Sequence, residues 1–411
     1  MSSIKIRKIK DPNTYIEMNN TYSNSITSDT IITVEHRSSN PKRDYLFVNK
    51  IQCKHIPCSP SRMIEMCKTL AKNVNNTLAN ITNIGDKVLV IGFAETATAI
   101  GTIVAENLCC DTYIMHTTRE EVDGSKELIR FEEEHSHATT QKLLTFEDTN
   151  TNEFMKQFKY ILFVEDEIST GNTILNFIDA FNKSGLNNGQ LRFGVASICN
   201  WQSVEWKNKF RKLGIDRFSL LSGELKDTNA KMALNEKLQH DKTATPTSYT
   251  SIYDFQLDNT VFNQERLGYN TKSNEYISKD FDEIMTSIKA LTREAETIRI
   301  IGTEEFMALP IKIGAILEEL GKTVVCHATT RSKIDAITNV YDGEANGIKI
   351  RYEVVSAYDK DRKTYIYNTG EEVEMTLIIS DTTDYKQFID MLKSVTNTVI
   401  NSSEHVIGIR L

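Results

Sequence analysis

Three acids, Glu165, Asp166 and Glu167, directly follow an apolar run, and Ile168-Ser169-Thr170-Gly171-Asn172-Thr173 comes next. The run Tyr160-Ile161-Leu162-Phe163-Val164 reads as a buried strand. The acids therefore emerge at its carboxyl end, where open α/β sheets bind ligands. Gly171 permits close backbone approach, and the hydroxyls of Ser169, Thr170 and Thr173 add donors. The segment then turns into a helix whose first N–H groups and dipole favour an anion. It can hold a phosphate while Glu165 and Asp166 accept hydrogen bonds from neighbouring sugar hydroxyls.

Other segments could complete such a site. Gly92-Phe93-Ala94-Glu95-Thr96-Ala97-Thr98-Ala99 is a small-residue loop before a helix, so backbone amides of Ala94, Glu95 and Thr96 can line it. It contains no lysine or arginine, and cations must come from elsewhere. Arg119, in His116-Thr117-Thr118-Arg119, can pair with a phosphate through its fork. His135 and His137 lie in the charged stretch Phe131–Ala138 and are candidates to take up a proton, as is Glu167. Lys54 and His55, in Asn49–Pro57, read as a basic loop at a strand end.

The elements that must position these groups alternate regularly. Apolar runs at 88–91, 112–115, 160–164 and 193–198 are separated by helical patterns at 97–108 and 174–181. Fully apolar strands between helices indicate a parallel sheet covered on both faces. A further helix should start after Ser59-Pro60, with Ser as N-cap and Pro in the first turn. The stretch from Arg119 to about Lys142 is long and charged. Residues 1–44 read as a polar, loosely structured lead-in, 45–224 as one α/β domain, 225–258 as a linker and 259–411 as a second α/β domain.

The second half repeats an order of features. Gly92, Glu95 and Thr117-Thr118-Arg119 have counterparts in Gly302, Glu305 and Thr329-Thr330-Arg331. Gly92 and Arg119 are 27 residues apart, and Gly302 and Arg331 are 29 apart. Ser380-Asp381-Thr382-Thr383-Asp384 stands where the acids and hydroxyl loop would recur. An old duplication whose second copy lost the phosphate loop is the expectation. Asp384, at a helix start, should repel an anion there.

With a net charge of −8, the chain gains little from counterion release, which disfavours a nucleic-acid partner. Its seven cysteines lack C-x-x-C spacing and read as free thiols. Cys53, His55 and Cys58 have no matching second pair, which argues against zinc. No apolar run approaches the ~18 residues a membrane span needs, and no secretory h-region appears, so a cytoplasmic location is expected.

The segment Val164–Thr173 resembles the motif with which type I phosphoribosyltransferases bind 5-phosphoribosyl 1-pyrophosphate (PRPP). Glu167 departs from it, since that family has an apolar residue there. Lys54-His55-Ile56-Pro57, Gly92–Ala97, His116–Arg119, Glu133–Ala138, Gly302–Met307 and Thr329–Ser332 are similar to the group in which a phosphoribosyltransferase domain precedes a C-terminal TRSP domain. Lys333 stands where the name-giving proline is expected. That resemblance spans roughly residues 40–400. It implies a type I sheet with a hood and a second α/β domain, which the repeated features above mark as a degenerate repeat. It implies PRPP, Mg²⁺ held with Glu165 and Asp166, a base-like nitrogen acceptor and release of pyrophosphate. Ile168 to Thr173 would then hold the 5′-phosphate. Ala94 to Thr96 and Arg119 would hold pyrophosphate, with Lys54, His55 and Arg331 nearby. The stretch around His135 and His137 lies where the family carries a lid. The group is associated with tellurium-resistance-type stress gene clusters. A homodimer is the candidate assembly, and a non-catalytic PRPP sensor is the alternative function.

Overall fold

The computed structural model describes residues 16–20, 31–37, 45–81, 86–132, 140–187, 189–225, 251–255, 264–272, 275–336 and 347–411. In chain order the first half carries β1 (Ile16–Asn20), β2 (Ile32–His36), β3 (Tyr45–Asn49), α1 (Pro60–Ile81), β4 (Lys87–Gly92), α2 (Thr98–Glu106), β5 (Asp111–Thr118), β6 (Ser125–Glu132), β7 (Thr140–Phe146), α3 (Thr151–Lys156), β8 (Phe158–Ile168), α4 (Asn172–Lys183), β9 (Arg192–Asn200), α5 (Val204–Lys212) and β10 (Asp216–Leu225). The second half carries β11 (Ser251–Asp254), α6 (Gln264–Leu267), β12 (Tyr269–Asn270), α7 (Glu275–Leu291), β13 (Thr297–Gly302), α8 (Ala308–Glu319), β14 (Thr323–Ala328), β15 (Arg351–Val355), β16 (Lys363–Tyr367), β17 (Val373–Ser380), α9 (Tyr385–Val399) and β18 (Ser403–Arg410).

The apolar runs form the expected parallel centre. β5, β4, β8, β9 and β10 pair in that order, all parallel. Val88 to Ile91 and Tyr160 to Val164 are buried, as strands covered on both faces must be. Helix α1 begins at Pro60 after Ser59, whose hydroxyl accepts from Arg62 N at 3.4 Å. Its apolar stripe, from Met63 through Leu70 to Leu78, is buried.

The second sheet repeats this order. β14, β13, β17, β18 and β11 are parallel neighbours, matching β5, β4, β8, β9 and β10. The hairpin β15–β16 stands between β14 and β17 in the chain, as β6–β7 stands between β5 and β8. The edge strands differ: β10 closes the first unit, whereas β11 precedes the second. This is the topology expected of a repeat, with one edge strand taken from the other end.

Three expectations change. Within the lead-in, β1 pairs antiparallel with β10, and β2 pairs with β3. Ile31 and Ile32 are buried, so isolated apolar residues in a polar background suffice to fix β2. Of the expected linker, residues 226–250 and 256–258 lie outside the described residues, while Ser251–Asp254 is β11. The charged stretch after Arg119 is mostly the hairpin β6–β7. Ile129, Phe131 and Leu143 bury one side of it in an apolar cluster with Phe93 and Phe177, and Phe131 packs edge-on against both of those rings.

The two units share a wide contact. Helix α2 is buried from Thr98 to Ala105, an all-round burial that only packing on several sides can give. Cys58 and Cys326 exchange backbone hydrogen bonds of 3.1 and 2.8 Å across the contact. β12 adds to the outer edge of β5.

Candidate active site

β8 delivers Glu165, Asp166 and Glu167 half-buried at the sheet end, and Ile168 is buried beneath them. Trp201 N donates to Ile168 O at 2.7 Å, tying the end of β8 to the chain leaving β9. Gly171 has φ +85°, in the left-handed region, and a Cβ there would sit 2.4 Å from Phe210 Cζ. Only glycine fits, on both counts. Gln202 Nε2 donates to Thr170 O at 2.9 Å and is itself fixed by Asn200. The hydroxyl loop Ser169–Thr173 thus presents a supported, partly exposed turn into α4.

Asp166 Oδ1 accepts from Glu167 N at 2.9 Å, and the Thr96 hydroxyl also hydrogen-bonds this carboxylate. Burial, and then the neighbouring Glu167, push its pKa up to about 6. No lysine or arginine of the described residues forms an ion pair with Asp166. A carboxylate held without a cation favours hydroxyl donors or a hard cation that a ligand brings with it.

The loop after β4 reaches the same place. Ala94 N donates to Thr117 Oγ1 at 2.8 Å, and the Ala94–Glu95 peptide is cis. Gln52 Nε2 donates to Thr96 O at 2.6 Å, and Gln141 Nε2 donates to Ala94 O at 3.4 Å. Gln52, in the segment after β3, and Gln141, in β7, therefore both hold this loop, and Thr96 joins it to Asp166.

The expected cations are placed differently. Lys54 is fully buried, with Nζ 2.9 Å from Glu95 Oε1 and donating to Glu304 O at 2.5 Å. It joins the two units instead of facing a ligand. His55 is buried, and burial together with Lys54 lowers its pKa to about 3, so it is neutral. Glu95 turns its carboxylate toward the second unit. Burial alone would raise its pKa, but Lys54 and Arg331 outweigh burial and hold it at about 2. Arg331 contacts Glu95, Glu120, Glu304 and Glu305. Arg119 donates its backbone N–H to Glu305 Oε1 at 3.3 Å. His135 and His137 lie outside the described residues.

The equivalent place in the second unit is closed. Asp381, at the end of β17, is ion-paired with buried Arg266 and accepts from Tyr358 Oη at 2.5 Å. Arg266 lies over the Tyr358 ring at 5.1 Å. Asp384 caps α9 by accepting from Gln387 N at 3.0 Å, which uses the amide a phosphate would need. Of two topologically equivalent strand ends, one leaves its acid open and the other neutralises it with the chain's own arginine.

Residues 31–224 match the family model described as phosphoribosyl transferase, and residues 263–395 match that of the TRSP domain found C-terminal to it. The chain belongs to this phosphoribosyltransferase–TRSP family. As a phosphoribosyltransferase it carries the type I sheet in its first unit. Similar solved structures include adenine phosphoribosyltransferase from Giardia lamblia in complex with 9-deazaadenine, at 14% identity and TM-score 0.32, covering 47% of this chain and 94% of that one. Another is adenine phosphoribosyltransferase from Trypanosoma brucei with AMP, pyrophosphate and ribose-5-phosphate, at 12% identity and TM-score 0.32, covering 50% and 83%. Orotate phosphoribosyltransferase from Aeropyrum pernix is similar at 16% identity and TM-score 0.24, covering 39% and 71%. No curated protein matches the sequence. No helix among the described residues of this phosphoribosyltransferase is long and apolar enough to cross a membrane.

Proposed function

We propose that the first unit binds PRPP with Mg²⁺ and transfers its phosphoribosyl group to a nitrogen of a small base-like acceptor. The observation that carries this reading is the Asp166 carboxylate, which has no ion pair among the described residues and lies at the strand end that leads into a glycine-hinged hydroxyl loop. Glu165 and Asp166 accept hydrogen bonds from the ribose hydroxyls. Ser169 to Thr173 hold the 5′-phosphate at the start of α4, where the helix dipole favours it. Of the loop Ala94 to Thr96, the amides of Glu95 and Thr96 hold the pyrophosphate, since Ala94 N is already donated to Thr117 Oγ1. Carboxylate oxygens suit a hard divalent ion, so Glu165 and Asp166 would hold Mg²⁺, which would offset the negative charge of the bound ligand.

Transfer forms a bond from the acceptor nitrogen to C1 and breaks the bond from C1 to the pyrophosphate oxygen, which takes the electron pair. Because the transition state has oxocarbenium character, holding the two reactants in line supplies most of the acceleration. Glu167, His135 or His137 takes the acceptor's proton.

The test is direct. Purified protein with PRPP and Mg²⁺ should release pyrophosphate when one member of a panel of nucleobases and related nitrogen heterocycles is added. Calorimetry should show PRPP binding that depends on Mg²⁺. Absence of PRPP binding at millimolar ligand would reject the reading.

A further inference from the structure

The contact between the two units is an exchange of equivalent groups. Glu95, in the loop after β4, accepts from Arg331 N at 3.1 Å and from the Thr330 hydroxyl. Glu305, in the matching loop after β13, accepts from Arg119 N at 3.3 Å and from Thr118 Oγ1 at 2.6 Å. Each unit's Thr-Arg pair thus grips the other unit's glutamate. The supporting bonds repeat as well: Ala94 N donates to Thr117 Oγ1 at 2.8 Å, and Glu304 N donates to Thr329 Oγ1 at 3.1 Å. Residue i of one unit meets residue j of the other, and j meets i, which is the signature of a two-fold contact between copies.

The symmetry fails in its charges. The Arg331 guanidinium reaches Glu95 and Glu120 of the first unit and Glu304 and Glu305 of its own, and Lys54 closes on Glu95 from the segment after β3. The first unit's loop is therefore fixed by a carboxylate whose charge is balanced by cations that both units supply. Thr96, the next residue, bonds Asp166. A shift of Glu95 would move Thr96 and the amides beside it.

We infer that the C-terminal unit serves as a built-in partner subunit, and that Arg331 is a positioning residue which sets the loop 93–96 for the pyrophosphate end of PRPP by holding Glu95. This rests on the reading that the first unit binds PRPP. It assigns the second unit to the first site and gives it no ligand of its own, in keeping with the closed strand end at Asp381. It also predicts a division within the site. The hydroxyl loop Ser169–Thr173 hangs on Gln202 and Phe210 and makes none of these contacts.

Two small probes separate the halves of the site: magnesium pyrophosphate and ribose 5-phosphate, each titrated calorimetrically into the full chain. Glu95→Gln and Arg331→Lys should each weaken pyrophosphate about tenfold, equivalent to about 1.4 kcal/mol. Ribose 5-phosphate should bind within twofold of the unaltered protein. A purely structural role would weaken both probes together or neither, and either result in a folded variant overturns the inference. Should a variant fail to fold, hydrogen exchange on the unaltered protein decides. Saturating magnesium pyrophosphate should slow exchange at 330–332 as well as at 93–97, and unchanged exchange at 330–332 overturns the inference. An unaltered protein that binds neither probe nor PRPP counts against the proposed function itself.

Discussion

Replacing Glu165 with Gln and Asp166 with Asn together should lower the affinity for magnesium PRPP at least a hundredfold, while the protein melts a few degrees higher. The loss follows from removing both acceptors for the ribose hydroxyls and the charge that favours the cation. The gain follows from the cost of the open acid. Asp166 sits at about 6 in the fold against 3.8 as a free side chain, because burial and Glu167 disfavour its charge. Its contribution to stability is therefore greatest below its unfolded value and declines as pH rises from about 4 to about 6. Above that window the ionised form costs up to about 3 kcal/mol, with its bonds from Thr96 and Glu167 N already counted, and the amide recovers only part of that. A net gain of about 1 kcal/mol raises Tm by about 2–4 °C in a domain of this size. Titration calorimetry and differential scanning calorimetry at pH 7.5 check the two halves. A variant that keeps PRPP affinity would remove the acid pair from the site. A variant that loses affinity but melts lower would show that the acids hold the fold.

The second large effect concerns stability alone. Arg331→Ala should cost about 3–5 kcal/mol at pH 7.5, the range for breaking a buried ion pair from one side. Burial opposes the arginine's charge, yet Glu305, Glu95, Glu120 and Glu304 push its pKa above the ordinary value. Without it these four carboxylates share Lys54, Arg266 and Arg362. Burial already lifts Glu120, with Glu305 adding to it, and Glu305 loses the arginine that does most to keep it low. Both acids would then titrate higher in the folded variant than in the unaltered protein. For such groups stability is retained at low pH and lost as pH rises, so the deficit should narrow toward pH 5. Denaturant melts at pH 7.5 and pH 5 provide the comparison. A cost under 1 kcal/mol at pH 7.5 would mean that the cluster relaxes without its central cation.

Much of this was legible along the chain because it is local. Continuous apolar runs mark the parallel strands, and acids followed by hydroxyls and Gly171 mark the end of β8 and its turn into α4, where the candidate site lies. The recurrence of Gly, Glu and Thr-Thr-Arg foretold a second sheet of the same strand order. Asp384 was expected to oppose an anion, and its role as N-cap of α9 gives the reason. What was illegible depends on partners distant in sequence. Gln52 and Gln202 look like ordinary polar residues, and nothing beside them announces the carbonyls of Thr96 and Thr170. Arg266 sits in the unremarkable run Gln264-Glu265-Arg266-Leu267, 115 residues before the Asp381 it neutralises. Lys54 was expected beside the ligand, because its partners, the Glu95 carboxylate and the Glu304 carbonyl, lie elsewhere in the chain. The hairpin β6–β7 was hidden by its charge, although Leu128, Ile129, Phe131 and Leu143 supply its apolar side.

The short strand β12 bears on how the protein can be handled. Tyr269 and Asn270 pair with Ile114 and Tyr113, so the outer edge of the first sheet is covered by residues from beyond the first unit. Helix α2 likewise takes part of its cover from α8. A chain ending near residue 224 would bare two rungs of unpaired backbone on β5 and an apolar helix surface beside them. Bare edges of this kind pair with one another. Such a fragment should therefore clump edge to edge, and the halves are best regarded as inseparable for solubility, however complete the proposed ligand loop in the first of them.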